Sequence, residues 1–191
     1  MILEPYMQVV IPVLWLVWLT YWIISARDVK ATKWHEPFAA QLRWRAPLIV
    51  GALFLAAPRW VPRLLTRRFV PLNPFTPPLG ALMVALGLGF AVWARRHLGR
   101  NWSAQVTVKE EHALIRTGPY QHLRHPIYTG ILLAFLGMGI AIGEWRGLVA
   151  FVFAAVSFAM KARVEEEQMG MIFPEYSQYR RESAALIPYV Y

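Results

Sequence analysis

The hydrophobic pattern of this chain is a series of long apolar runs separated by short polar, proline-rich or basic segments. The first run, Met7 to Ser25, is long enough to cross a bilayer, which takes about 20 residues. It lacks the basic flank and the small-residue cleavage site of a signal peptide, so it reads as a retained helix. Arg27–Arg45 reads as a polar loop. Ala46–Ala57 is apolar but short, and would span only by extending through Pro58–Leu65. Pro71 to Pro78 holds four prolines and breaks regular helix. Leu79–Ala94 is the third expected span. It carries Gly80, Ala81, Ala85, Gly87 and Gly89, small residues suited to close helix contact. After a polar connection, Arg95–Pro126, the runs Ile127–Gly143 and Gly147–Met160 are separated only by Glu144-Trp145-Arg146 and predict an antiparallel hairpin. Lys161–Tyr191 reads as a surface helix and tail.

The expected fold class is therefore all-α, a polytopic membrane protein with about five transmembrane helices and a C-terminal cytoplasmic helical cap. Residues 1–191 form one membrane domain. Its parts are N-terminal spans over 1–97 and a core over 98–191, which contains the hairpin 127–160. Composition agrees: 57% of residues are hydrophobic, and nine Trp and eight Tyr fit interfacial belts. The absence of cysteine excludes disulfides and thiolate metal sites. The net charge of +9 is scattered between apolar runs, which points to anionic lipid rather than nucleic acid. Fifteen of the twenty Lys/Arg fall on the side holding 27–45, 95–126 and the tail. That side is expected to be cytoplasmic, with the N-terminus outside. The Arg residues between 59 and 68 conflict with this count.

The densest candidate chemistry is the stretch 118–130, which gathers one Arg, two His, two Tyr, two Pro and two Gly into thirteen residues where an apolar run begins. Polar and cationic groups are costly at a membrane helix mouth, so they mark a site. Pro126 in a first helical turn and Arg124 reaching to lipid phosphate would explain part of it. They leave His125, Tyr120 and Tyr128 to be accounted for. The expected hairpin brings its two ends together, so Glu165-Glu166-Glu167 would face 118–130. Those carboxylates could otherwise simply pair with Lys161 and Arg163 at helical spacing. Phe173 to Arg181 places Tyr176, Tyr179 and Arg180 on one side of an interfacial helix that could cover the site. No paired-histidine motif, GxSxG, Walker loop or dinucleotide glycine fingerprint occurs, and no metal site is expected.

The ordered set Gly-Pro-Tyr (118–120), Arg-His-Pro-x-Tyr-x-Gly (124–130), a hydrophobic hairpin, Glu-Glu (165–166), Phe-Pro-Glu-Tyr-x-x-Tyr (173–179) and Leu-Ile-Pro (186–188) resembles the isoprenylcysteine carboxyl methyltransferase family. The likeness runs from about Leu98 to Pro188. It implies an integral membrane methyltransferase that uses S-adenosylmethionine, releases S-adenosylhomocysteine and acts at the cytoplasmic face. Carried over, the cofactor residues would be Gln105, His112, Ala113, Leu114, Ile115, Tyr120, His125, Pro126, Ile127, Tyr128, Glu165 and Glu166. Arg163, with Arg124, would serve the acceptor and catalysis, with Lys161 and Glu167 as substitutes. The expected acceptor is a lipophilic small molecule or prenylated substrate entering from the bilayer, methylated on a carboxyl oxygen. Phospholipid amines and thiols are alternative acceptors. A second class, NADPH-dependent membrane sterol or enone reductases, has a similar Arg-His-Pro-x-Tyr pattern.

Overall fold

The computed structural model describes residues 5–27, 32–56, 60–71, 73–102, 107–109 and 114–187. Five long helices dominate: α1 (Tyr6–Ser25, its first turn π-type), α2 (Phe38–Ala56), α3 (Thr76–Leu98), α4 (Pro126–Ile142) and α5 (Trp145–Ile172). A short α6 (Tyr176–Glu182) follows. Two short strands, β1 (Thr32–His35) and β2 (Thr107–Lys109), pair antiparallel and are the one addition to the all-helical expectation among the described residues. Three helices, α1, α3 and α5, are long and apolar enough to cross a membrane, and α4 is a shorter apolar helix, so this is an integral membrane protein.

Helix α2, Phe38–Ala56, begins eight residues before the apolar run begins. Its polar first turns were expected as loop. They are helical because their polar groups find partners: buried Gln41 donates to the Glu36 carbonyl at 2.6 Å and Arg43 pairs with Glu36 at 2.6 Å. Helix α3 starts at Thr76, inside the proline-rich stretch. Pro77 and Pro78 occupy its first turn, where a missing N–H leaves no bond unmade. Asn73 Oδ1 accepts from the Phe75 and Thr76 amides at 2.9 and 3.0 Å. Helix α5 does not end at Met160. It continues as one rod to Ile172, so Lys161 lies buried within it rather than on a surface helix.

The hairpin of α4 and α5 forms as expected, turning at Gly143 in the left-handed region (φ 66°). Helix α4 packs mainly on α3, and α5 on α2. The α3–α4 contact is made of glycines. A Cβ on Gly87 would stand 2.4 Å from the Gly130 carbonyl oxygen, and one on Gly80 would stand 2.5 Å from that of Gly137. Gly89 faces open space and plays no part. At the end of the bundle opposite the site, Arg146 donates to the Phe54 and Leu55 carbonyls, and Arg68 to that of Ile142. These cations cap helix C-termini, which accounts structurally for one of the four Arg at 59–68.

Gly130→Ala inserts a methyl against backbone and is expected to destabilise the protein by about 1–3 kcal/mol, as overpacking does. Gly89→Ala should be neutral or slightly stabilising. Thermal unfolding in detergent compares the two.

Candidate active site

The chain between β2 and α4 tightens into a 3₁₀ turn, Gly118–Gln121, entered by Gly118 at φ 59°. It then docks on the C-terminal segment. The Arg124 and His125 amides donate to the Ala184 and Ala185 carbonyls at 2.8 and 3.1 Å, and the Ala184 amide to the His122 carbonyl at 3.0 Å. The Tyr179 hydroxyl donates to the Tyr120 carbonyl at 2.6 Å. Helix α4 starts at Pro126, which presents His125 and Tyr128 to the far end of α5, where Glu165 and Glu166 stand.

Both carboxylates are occupied. The Tyr128 hydroxyl lies 2.7 and 2.8 Å from the two oxygens of Glu165. His125 Nδ1 is 3.4 Å from Glu165, and its Nε2 is 3.2 Å from Glu166. Arg124 Nε donates to Glu166 at 2.7 Å and its Nη1 to the carbonyls of Arg180 and Ser183. Arg180 adds a second cation at 3.5 Å from Glu166. Lys161 Nζ is 3.8 Å from Glu165, one turn earlier on α5. It sits over the rings of Trp44 (4.8 Å) and Tyr128 (5.3 Å). The His125 and Tyr128 rings stack at 5.3 Å, and Tyr128 stacks on Phe158 at 4.8 Å.

This constellation opens into a cavity of about 510 Å³, within the range of small-molecule sites. One wall carries His125, Tyr128, Lys161 and Glu165. Much of the remaining lining is aromatic: Trp18, Trp22 and Trp102 form a stacked and edge-on ladder with centroids 4.5 and 5.4 Å apart, and α2 adds Trp44, beside Lys161, with Arg45, Leu48 and Ile49. Tyr176 and Tyr179, both buried, also line it. Burial pushes the Tyr179 phenol up to about 12. Burial likewise raises the phenols of Tyr120 and Tyr176, so all three stay protonated donors at neutral pH. Burial alone would lower the His125 imidazole, but its hydrogen bonds to, and the charges of, Glu165 and Glu166 outweigh it and raise it.

Of the expected site residues, the structure brings Leu114, Ile115, Tyr120, Arg124, His125, Ile127, Tyr128 and Glu165 to the cavity. Pro126 and Glu166 stand behind it: Pro126 is buried at the helix start, and Glu166 holds Arg124 and His125. Gln105, His112 and Ala113 lie outside the described residues. Arg163 is exposed and does not line the cavity. The helical register puts Lys161, four residues before Glu165, on the inner face, while Arg163 falls on the outer one. The sequence reading missed the wall of Trp18, Trp22, Trp44 and Arg45. Its signal was Trp18 and Trp22 at helical spacing, on one face of α1.

A buried cationic and acidic cluster at one end of a membrane helical bundle, opening into an aromatic cavity, defines a class of intramembrane small-molecule or lipid sites. The sequence profile described as phospholipid methyltransferase matches residues 75–176, and the chain belongs to that family. A protein-S-isoprenylcysteine O-methyltransferase of Saccharomyces cerevisiae is 33% identical over 116 residues, 59% of this chain and 48% of the relative. A cobalt-zinc-cadmium resistance protein of Cupriavidus metallidurans is 32% identical over 114 residues, 58% of this chain and 50% of the relative. The solved structure of a eukaryotic intramembrane Ras methyltransferase, an isoprenylcysteine carboxyl methyltransferase, superposes with a TM-score of 0.51 at 18% identity, over 78% of this chain and 53% of that one. The resemblance to isoprenylcysteine carboxyl methyltransferases thus holds in sequence and in fold. The chain spans about half the length of the curated relatives named here. Among the described residues no group of three or more His, Asp or Glu is arranged to hold a metal ion.

The raised His125 pKa has a definite sign for stability. Its contribution is complete below the ordinary value near 6.5 and is lost as pH rises through the raised folded value. Thermal stability in detergent should therefore fall across that window. In His125→Gln that part of the slope should disappear.

Proposed function

We propose that this chain is an S-adenosylmethionine-dependent methyltransferase acting on a lipophilic acidic acceptor, by carboxyl O-methylation of an isoprenylcysteine-like or other isoprenoid or lipid acid. The observation that carries the reading is the buried Tyr128–Glu165–His125 cluster opening, beside Lys161, into the aromatic cavity. The family match supports it over the reductase alternative. The excess of Lys/Arg at the site's end of the bundle supports a cytoplasmic site and C-terminus, with the N-terminus outside.

The donor set suits S-adenosylmethionine. The Glu165 carboxylate and the Tyr128 hydroxyl oxygen, whose own proton goes to Glu165, are fixed acceptors for its amino and hydroxyl groups, while Leu114, Ile115 and Ile127 offer apolar contact. When bound, this group supplies an electrophilic methyl on a sulfonium sulfur. The chain's own residues do the rest by positioning. Lys161 offers a buried cation to an acceptor carboxylate. The buried Tyr176 and Tyr179 side chains in the lining leave less room for water. Trp18, Trp22, Leu48 and Ile49 give an apolar path for a lipid chain. A carboxylate, with a reference pKa near 4, is already ionised and requires no general base. That agrees with a site in which His125 and both carboxylates are tied into ion pairs. Orientation and desolvation then supply the acceleration.

The family description favours a second reading, a phospholipid amine acceptor. Lys161 and Arg45 in the cavity wall argue against it, because an ammonium group would be repelled there and would first have to lose a proton.

S-Adenosylhomocysteine should raise the unfolding temperature of the detergent-solubilised protein, and no shift at saturating ligand would overturn the reading. Glu165→Gln should weaken that binding about tenfold or more, the loss of a charge-assisted hydrogen bond. Lys161→Met should keep the binding and lower turnover of acidic lipid acceptors, read by radiolabelled methyl incorporation.

A further inference from the structure

Outside the family-matched segment 75–176, one buried carboxylate stands one side chain away from the cavity without touching it. Glu36 is 3% exposed and lies between β1 and α2. Its Oε2 accepts from the Trp44 indole Nε1–H at 2.9 Å, and its Oε1 from Arg43 at 2.6 Å. The Trp44 carbonyl accepts from the Ser157 hydroxyl on α5, so this residue is fixed at both its backbone and its ring. Trp44 lines the cavity, and its ring face carries the Lys161 ammonium at 4.8 Å. Lys161 in turn reaches Glu165 and the Tyr128 ring.

We infer that Glu36 is a positioning residue for the reaction: through Trp44 it holds the Lys161 ammonium at the cavity wall. The physical basis is a relay of alternating charge. A carboxylate accepting the indole N–H fixes the ring plane and feeds electron density into it, which strengthens the ring face toward a cation. Neutralising that carboxylate weakens the hydrogen bond to the buried indole N–H and loosens the ring over Lys161. The ammonium then loses its hold on the Trp44 face and is drawn toward Glu165 and Tyr128, away from the acceptor side. This extends the acceptor's binding machinery to residue 36, beyond the family-matched segment, and it rests on reading this cavity as the methyl-transfer site.

The relay can be tested without knowing the acceptor. In 5-fluorotryptophan-labelled full-length protein in detergent, the Trp44 resonance is the one lost in Trp44→Phe. Lys161→Met should move it in the wild-type background. In Glu36→Gln the resonance should itself shift, and Lys161→Met should then move it no further. An unmoved Trp44 resonance in Glu36→Gln, or an equal Lys161→Met effect in both backgrounds, overturns the relay. If Glu36→Gln does not fold, Glu36→Asp carries the same comparison, since it keeps the charge but withdraws it from the indole. With turnover of an acidic lipid acceptor as the second readout, Glu36→Gln should raise the acceptor KM about tenfold, leave kcat within about twofold and leave S-adenosylhomocysteine affinity unchanged. Equal KM values would show that the relay does not reach the acceptor. Absence of S-adenosylhomocysteine binding in the wild type would instead strike the methyltransferase reading and leave the relay standing.

Discussion

The structure depends on placing two ionised carboxylates at the buried end of a membrane helix. Glu165 and Glu166 have side chains only 20% and 10% exposed. An unpaired charge there would cost several kcal/mol. The cost is offset by donors gathered around them: Arg124, His125, Tyr128, Lys161 and Arg180. Those donors come from three places in the chain, so the two carboxylates fix the relation of the α4 start, α5 and the C-terminal segment at once. The Arg124 guanidinium makes this explicit, since it bonds Glu166 and the Arg180 and Ser183 carbonyls together.

Such a cluster requires helix ends held to within a fraction of an ångström. Packing of ordinary side chains would leave α3 and α4 too far apart and their relative height adjustable. The Gly80–Gly137 and Gly87–Gly130 pairs bring backbone against backbone, so the helices can neither slide nor approach further. The Gly139–Gly147 contact does the same within the hairpin. The hairpin contact thus fixes α4 against α5, the pair that carries the charged cluster, and the α3–α4 contacts fix the hairpin against the rest of the bundle.

Much of this was legible in the sequence. The hairpin followed from two apolar runs with three residues between them, and from it followed the meeting of 124–128 with 165–166. The register within the acidic cluster was not legible. Lys161 and Arg163 are two residues apart, and only the continuation of α5 through Met160 puts Lys161 inside and Arg163 outside. Hydropathy ends the span at the first charge, because it scores Lys161 by type and not by its partners. The same error hid the start of α2. Gln41 and Arg43 read as loop, although the Gln41 amide donates to the Glu36 carbonyl and Arg43 to its carboxylate. The tryptophans of α1 and α2 read as interfacial belts, because nothing in a linear pattern distinguishes a ring facing lipid from one facing a cavity.

The cavity is built from two unequal sources. The family-matched segment supplies His125, Tyr128, Lys161 and Glu165, the groups with chemistry. Residues before it supply Trp18, Trp22, Trp44, Leu48 and Ile49, the wall with shape. A charged cluster whose members satisfy one another tolerates little change, since altering one strands the rest. An apolar wall tolerates exchange of side chains of similar volume. One charged half can therefore be combined with different walls while its own geometry stays fixed. Relatives bearing names as different as a metal-resistance protein and an isoprenylcysteine methyltransferase match this chain over similar lengths. Those matches cover only about half of each relative, as a shared charged half joined to differing walls would give.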